Sequence, residues 1–259
     1  MKNVVGIVLA AGHGSVATLM NISKLVEMVD NKPMVCRPVQ ILRDELKLPT
    51  LVVTNERFFE QITDALDCHP KDFFVHQSDR TGTAGAVKEC LPKLATFKGI
   101  KHVVVLYGDM PCWKTNTICK LIENHIQRNA VLSMFRIDLR GKFSFCVENF
   151  GRILYGENGN IIAIREPYEM KAEELNSARY VNPSAWVFNL SWLKENIPHL
   201  RPHDKGDGYA HEYWLPDLVL LAVNQKKEIV SVELADAREA LGVNTLQDLN
   251  FVRENIRRI

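Results

Sequence analysis

Short runs of β-branched and aliphatic residues recur through the first half of the chain, at Val4–Leu9, Leu51–Thr54, Phe73–His76 and Val103–Tyr107. Each is followed by an amphipathic stretch of helical length, near Met34–Glu45, Glu56–Leu66, Ala84–Leu94 and Thr115–Gln127. Strands that are apolar at every position must be covered on both faces, and parallel neighbours need a crossover long enough to hold a helix. The alternation therefore predicts βαβ units and an α/β fold with a mixed, mostly parallel central sheet flanked by helices. In such a sheet ligands collect at the carboxyl ends of the strands.

From about residue 130 the rhythm changes. Val131–Phe135, Phe143–Val147, Ile161–Arg165, Ala185–Phe188 and Ile229–Glu233 read as strands, with a turn at Glu157-Asn158-Gly159-Asn160. Helices are predicted over Glu212–Asn224 and Leu246–Arg258, the latter capped by Thr245 and Asp248. No linker, repeat or low-complexity tract divides the chain. The reading is one domain over 1–259: a nucleotide-binding half over about 1–129, a substrate-binding half over about 130–245, and a C-terminal helix over 246–259.

Charge narrows the partners. Lys and Arg total 32 against 31 Asp and Glu, a formal net charge of +1, so no broad field favours nucleic acid or a membrane surface. Phosphate recognition, if present, must be local. The 6 cysteines (Cys36, Cys68, Cys90, Cys112, Cys119, Cys146) have no CxxC pair or tight cluster, which predicts reduced thiols rather than a disulfide or zinc framework. The apolar run after Met1 is too short for a signal peptide or a membrane span, and a cytoplasmic location is expected.

The first predicted strand runs into Leu9-Ala10-Ala11-Gly12-His13-Gly14-Ser15. Small residues let backbone amides approach a ligand, and such amides beyond a strand can cradle phosphate oxygens. Ala17 stands where the dinucleotide fingerprint has its third small residue, a weak match, and the Gly-Lys-Ser/Thr of a P-loop is absent. A tight turn without a ligand is the alternative. A second turn, Tyr107-Gly108-Asp109, bears a carboxylate after the strongly apolar Val103–Tyr107 run, where an aspartate is well placed to hold Mg²⁺.

Leu9-Ala10-Ala11-Gly12-x-Gly14, then Lys24, then Asn31-Lys32-Pro33-Met34, resembles the signature that opens sugar-1-phosphate nucleotidyltransferases. The resemblance continues in order to Asn244 and is most similar to the uridylyltransferase half of the bacterial bifunctional enzymes that make UDP-N-acetylglucosamine. It implies a three-layer nucleotide-diphospho-sugar transferase fold, Rossmann-like and of GT-A type. It further implies transfer of a uridylyl group from UTP to N-acetylglucosamine 1-phosphate, with Mg²⁺ as cofactor and pyrophosphate as product. By the same resemblance Leu9, Ala10, Ala11, Gly12 and Gly14 wrap the nucleotide, and Lys24 neutralises its α-phosphate. Gln77, Gly82, Thr83 and Tyr107 complete the nucleotide site; Thr83 also reads as a helix cap. Asp109 and Asn244 hold the metal. Gly151, Glu166 and Asn182 hold the sugar phosphate, and Glu212-Tyr213 and Asp217 match a Glu-Tyr-Tyr-x-Thr-Asp stretch of the relatives. Lys24 and Asp109 are the candidate catalytic residues.

Departures from the family pattern keep two alternatives open. Gly14-Ser15-Val16-Ala17-Thr18 lacks the arginine that contacts the triphosphate in relatives, Ser23 replaces a proline, and Asn182-Pro183-Ser184 replaces Asn-Thr-Gly. His13 or Arg37 could supply the missing charge. One alternative is another sugar-1-phosphate nucleotidyltransferase of the same fold. The other is a weakened or non-catalytic nucleotide-binding homologue. The chain ends at Ile259 without the hexapeptide repeats of the bifunctional relatives. The expectation is no acetyltransferase activity and no β-helix trimer, but a monomer or dimer.

Overall fold

The computed structural model describes residues 1–12, 22–67, 73–141, 147, 149–203 and 211–259. The first half carries β1 (Val4–Leu9), a small hairpin of β2 (Met28–Val29) and β3 (Lys32–Pro33), and α1 (Cys36–Val39), continued by a π-helical segment over Gln40–Glu45. Then come β4 (Thr50–Thr54), α2 (Phe59–Ala65), β5 (Phe74–His76), α3 (Gly82–Leu94), β6 (His102–Tyr107) and α4 (Thr115–Gln127). The second half carries β7 (Leu132–Asp138), β8 (Arg152–Tyr155), β9 (Ile161–Arg165), α5 (Ala172–Ser177), β10 (Tyr180–Val181), β11 (Trp186–Asn189) and α6 (Leu190–Asn196). It closes with α7 (Asp217–Asn224), β12 (Ile229–Glu233) and α8 (Leu246–Asn255).

These strands form one sheet in the order β5-β4-β1-β6-β11-β7-β10-β8-β9, with β12 added on β7. β5, β4, β1 and β6 are mutually parallel, and β7, β12 and β8 run the same way. β11, β10 and β9 oppose them. The mixed, mostly parallel sheet read from the sequence is therefore the observed one.

Alternation along the central strands covers both faces. Val4 and Val8 of β1, Val52 of β4, and Val104 and Leu106 of β6 join a buried cluster with Ile41 of the π-helical segment, Ile62 of α2, and Ile118 and Leu121 of α4. Val5, Ile7, Leu51, Val53, Val103 and Val105 point the other way, against Ala84 and Val87 of α3, Leu193 of α6 and Val219 of α7. A third cluster docks α8 through Leu249 and Val252 onto Val29 and Met34. Thr245 caps α8 as expected: its hydroxyl accepts from the Asp248 amide at 3.1 Å, and Asp248 accepts from the Thr245 amide at 2.8 Å.

Several expectations change. α7 starts at Asp217 rather than Glu212, because Pro216 disfavours helical backbone at Leu215, and Glu212 instead bridges to His203. Thr83 is not a cap, since α3 already includes Gly82 and begins after Thr81. β8, β10, α5 and α6 were absent from the sequence reading; β10 is two residues long, too short for a period to show. The Phe143–Val147 strand lies outside the described residues except for Val147, which is in a turn. Cys36, Cys90, Cys112 and Cys119 are free thiols, while Cys68 and Cys146 fall outside the description. Among the described residues no helix is long and apolar enough to cross a membrane.

Candidate active site

β1 and β6 are paired along their whole lengths, Val4 opposite His102 through Leu9 opposite Tyr107, so their carboxyl ends emerge together. The Gly108 amide donates to the Leu9 carbonyl at 2.9 Å, which extends the ladder and sets Asp109 beside the Ala10-Ala11-Gly12 turn. A cavity of about 530 Å³ opens over these ends. Leu9, Ala11, Gly12, Lys24, Gln77, Gly82, Thr83, Tyr107, Asp109 and Asn244, all named from the sequence, line it. Ala10 is 1% exposed and sits behind the wall. Gly14 and His13 lie outside the described residues.

Lys24 is the hub. Its ammonium donates to Asp109 Oδ2 at 2.7 Å, to the Val243 carbonyl at 2.7 Å and to Asn244 Oδ1 at 3.0 Å, so all three ammonium donors meet oxygens. The Val243 amide in turn donates to the Asp109 carbonyl at 2.9 Å, which ties the 242–244 turn to the end of β6. Ser23, at the position that departs from the family proline, accepts from the Leu25 amide at 3.3 Å and donates its own amide to Gln61 at 2.8 Å. The departure thus still fixes the turn that aims Lys24. Among the described residues no three His, Cys, Asp or Glu side chains converge as a metal cluster. One carboxylate, one amide oxygen and one carbonyl gathered around a cation is instead a hard-oxygen set, of the kind that takes Mg²⁺ together with phosphate oxygens.

The opposite wall is built on Gln77, whose amide nitrogen donates to the Thr81 hydroxyl at 3.0 Å and the Gly82 carbonyl at 3.1 Å. Gly82 has φ +76°, and a Cβ there would lie 2.5 Å from the Tyr213 carbonyl. Both facts demand glycine. That tightness comes from a strap over 212–215: the Tyr213 amide donates to the Thr81 carbonyl at 2.8 Å, and the Ala84 amide to the Tyr213 carbonyl at 2.9 Å. The Leu215 amide donates to the Thr83 hydroxyl at 3.0 Å, which gives Thr83 its structural partner. Burial pushes the Tyr107 hydroxyl well above its ordinary pKa, and its hydrogen bond to Thr83 opposes that shift.

Gly151, Glu166 and Asn182 do not line this cavity, but the structure gathers them beside it. Antiparallel pairing brings the start of β8 to the ends of β9 and β10. The Asn182 amide donates to the Gly151 carbonyl at 2.9 Å, and a Cβ on Gly151 would approach Glu166 Oε1 to 3.2 Å. Glu166 is close enough for its charge to raise the Tyr107 pKa. Burial, with Glu169 and Asp217 nearby, raises the Glu166 pKa, while Arg152 and His203 counter it. The Asn182 side chain is turned inward: its Nδ2 donates to the Phe135 carbonyl at 3.3 Å, and its Oδ1 accepts from the Ser184 amide at 3.1 Å.

Arg37 does not reach the site. It pairs with Glu45 at 2.6 Å and lines a different cavity with Met34 and Trp113. Sequence reasoning missed Arg80 and Trp214, which line the nucleotide-side cavity, and His203, which stacks on Trp214 at 3.7 Å and meets Asp217 at 2.7 Å. A charged residue between Gln77 and Gly82 was the available signal for Arg80. Nothing local marked His203, which is brought in by its bridge to Glu212.

A mostly parallel sheet with small-residue turns and a lysine–aspartate centre at the carboxyl ends of its parallel strands is the design of a nucleotide-binding α/β protein. The chain belongs to the MobA-like NTP transferase domain family, whose profile matches residues 6–149. It is 30% identical over 245 residues to the bifunctional protein GlmU of Geotalea uraniireducens, covering 94% of this chain and 50% of that protein. Against the bifunctional protein GlmU of Bacillus subtilis the identity is 29% over 257 residues, covering 96% of this chain and 52% of the relative. The chain therefore spans about half the length of the curated relatives it matches. Its fold is similar to that of a putative glucose-1-phosphate thymidylyltransferase from Bacillus anthracis, with TM-score 0.72 at 18% identity, over 99% of this chain and 96% of the other.

Proposed function

We propose that the chain transfers a uridylyl group from UTP to N-acetylglucosamine 1-phosphate, releasing pyrophosphate. The observation that carries the reading is the convergence of Asp109, Asn244 and the Val243 carbonyl on the Lys24 ammonium, at the mouth of a cavity walled by Gln77, Gly82, Thr83 and Tyr107. In phosphoryl transfer the protein chiefly positions the reactants and stabilises developing charge. A phosphate monoester dianion brings its own nucleophilic oxygen, so no protein nucleophile is needed. Asp109 and Asn244 would hold Mg²⁺, which supplies positive charge to the triphosphate oxygens. Lys24 would then turn from these oxygens to the α-phosphate. Leu9, Ala10, Ala11, Gly12 and Gly14 would follow the nucleotide backbone, and Gln77 and Gly82 would read the base edge. Gly151, Glu166 and Asn182 would form the acceptor side, where a Cβ on Gly151 would press on Ile164 at 2.8 Å and on Glu166 at 3.2 Å.

A second reading, the same transfer to a different sugar 1-phosphate, draws support from Asn182. Its side-chain amide is already hydrogen-bonded to Phe135 and Ser184, which weakens the case for an N-acetyl-specific contact. Pyrophosphate release measured with Mg²⁺ across a panel of nucleoside triphosphates and sugar 1-phosphates separates the readings. UTP with N-acetylglucosamine 1-phosphate should give the highest kcat/KM. A higher value for another sugar selects the second reading, and no release with any pair would overturn both.

A further inference from the structure

A larger cavity, about 670 Å³, shares no described lining residue with the candidate active site. It lies between the β8–β9 turn, the carboxyl end of α7 and β12, whose pairing partner is β7. Its walls carry Arg128, Arg136, Lys226 and Lys227, and among the described lining residues the sole carboxylate is Glu228. Glu228 is engaged with Arg128 at 2.7 Å. Neither Lys226 nor Lys227 pairs with a carboxylate among the described residues.

Two donors in this wall are orphaned. Arg136 Nε and Ser231 Oγ are buried and have no hydrogen-bond partner among the described residues. In the parallel register Ser231 faces Met134 and Glu233 faces Arg136, so Arg136 and Ser231 project from the same face of adjoining strands. The hydrogen bonds that Arg136 does make are long, 3.4 Å to the Tyr155 hydroxyl and 3.3 Å to Glu233, against the 2.7–2.9 Å usual for charge-assisted bonds, and its guanidinium also lies 4.6 Å from the centre of the Tyr180 ring. Buried donors are normally satisfied, and an exception calls for an explanation.

Lys226 supplies an independent observation. It follows α7 with φ +52°, the left-handed position after a helix end where glycine is the usual residue. A lysine there is conformationally disfavoured, yet it sets an ammonium at the cavity wall.

We propose that this cavity binds the phosphoryl group of a small phosphorylated molecule, as a site separate from the transferase centre. A dianionic phosphoryl group matches an excess of cations and offers several acceptor oxygens to guanidinium, hydroxyl and ammonium donors. Ile161, Val223 and Ile229 provide apolar wall for the body of an ester. The inference does not depend on the substrate of the transferase reaction.

Calorimetric titration of the intact protein with glucose 6-phosphate and, separately, with inorganic phosphate tests it. One binding event per chain is expected, tighter for the ester if the apolar wall is used and equal for the two if free phosphate is the natural occupant. Arg136→Gln combined with Ser231→Ala should weaken it by about tenfold or more, the scale of losing charge-assisted bonds. Lys226→Gly relieves the left-handed backbone, so it should raise Tm while weakening the same event by about threefold. Lys24→Ala should leave it unchanged. Absence of heat with both probes, or binding lost in Lys24→Ala and retained in the double variant, would overturn the proposal.

Discussion

On one side of the candidate site, Leu9, Tyr107 and Asp109 stand at the ends of two parallel strands paired over their full lengths. On the other, Gly151, Glu166 and Asn182 come from the margins of three short antiparallel strands, and Asn182 lies in the break at 182–185 where the chain leaves β10 and resumes as β11 along β7. The first arrangement fixes backbone, because a strand end buried on both faces has little freedom. The second fixes side chains through one another, as with Asn182 against Phe135 and Ser184. Under the proposed function, charge handling is then the rigid part of the site and acceptor fit the adjustable part.

The largest expected effect tests the rigid side. Lys24→Ala and Asp109→Ala should each lower kcat by about 10³-fold or more, the usual loss when a charge-stabilising group leaves a phosphoryl-transfer site, with far-ultraviolet circular dichroism unchanged. A Lys24→Ala protein with wild-type kcat would remove the basis for the proposed centre. Next comes Gly82→Ala, which meets both a positive φ and the Tyr213 carbonyl. It should cost about 2–3 kcal/mol in urea unfolding and raise the nucleotide KM. A neutral outcome would show that the strap yields and that the nucleotide wall is no stiffer than the acceptor wall.

A third test addresses what joins the two regions. His125 is fully buried on α4, with Nδ1 2.7 Å from the Ser133 hydroxyl on β7 and Nε2 3.1 Å from His102 on β6. Burial, aided by His102, lowers the His125 pKa to about 3. The unfolded chain takes up that proton near pH 6.5, while the folded protein resists until near pH 3. The contribution of His125 should therefore be full above about pH 6.5 and fall below it, by at most about 1.4 kcal/mol per pH unit, and His102, whose pKa burial also lowers, adds in the same direction. Urea midpoints at pH 7 and pH 5 measure this, and His125→Gln should flatten the slope. The smallest expected effect lies on the adjustable side: Glu166→Gln should raise the acceptor KM by about tenfold and leave the nucleotide KM unchanged, the scale of one hydrogen bond to a charged group. Equal changes in both KM values would erase the contrast.

Legibility in the sequence followed the same division. β1, α4, β9 and β12 were readable at their observed limits because apolar periodicity decides them. Gly12, Lys24, Gln77, Gly82 and Asp109 were readable because they occur in an ordered series of motifs, and the cavity collects them. Arg80, Trp214 and His203 were not, since their places depend on the strap across 212–215 and a bridge between distant segments. Of the two groups that could have supplied the missing charge, Arg37 pairs instead with Glu45, and sequence distance from the loop carries no information about direction.

That strap has a consequence for how the wall opens. The amides of Tyr213, Ala84 and Leu215 are closed by one another's segments, through the Thr81 carbonyl, the Tyr213 carbonyl and the Thr83 hydroxyl. None of the three can meet solvent without lifting residues 213–215 from the start of α3. In hydrogen–deuterium exchange they form one cooperative unit with a shared opening free energy, drawn from both sequence halves at once. The start of α3 and the 213–215 segment that covers it are therefore a single breathing element of the cavity wall, and anything that stills one slows exchange in the other.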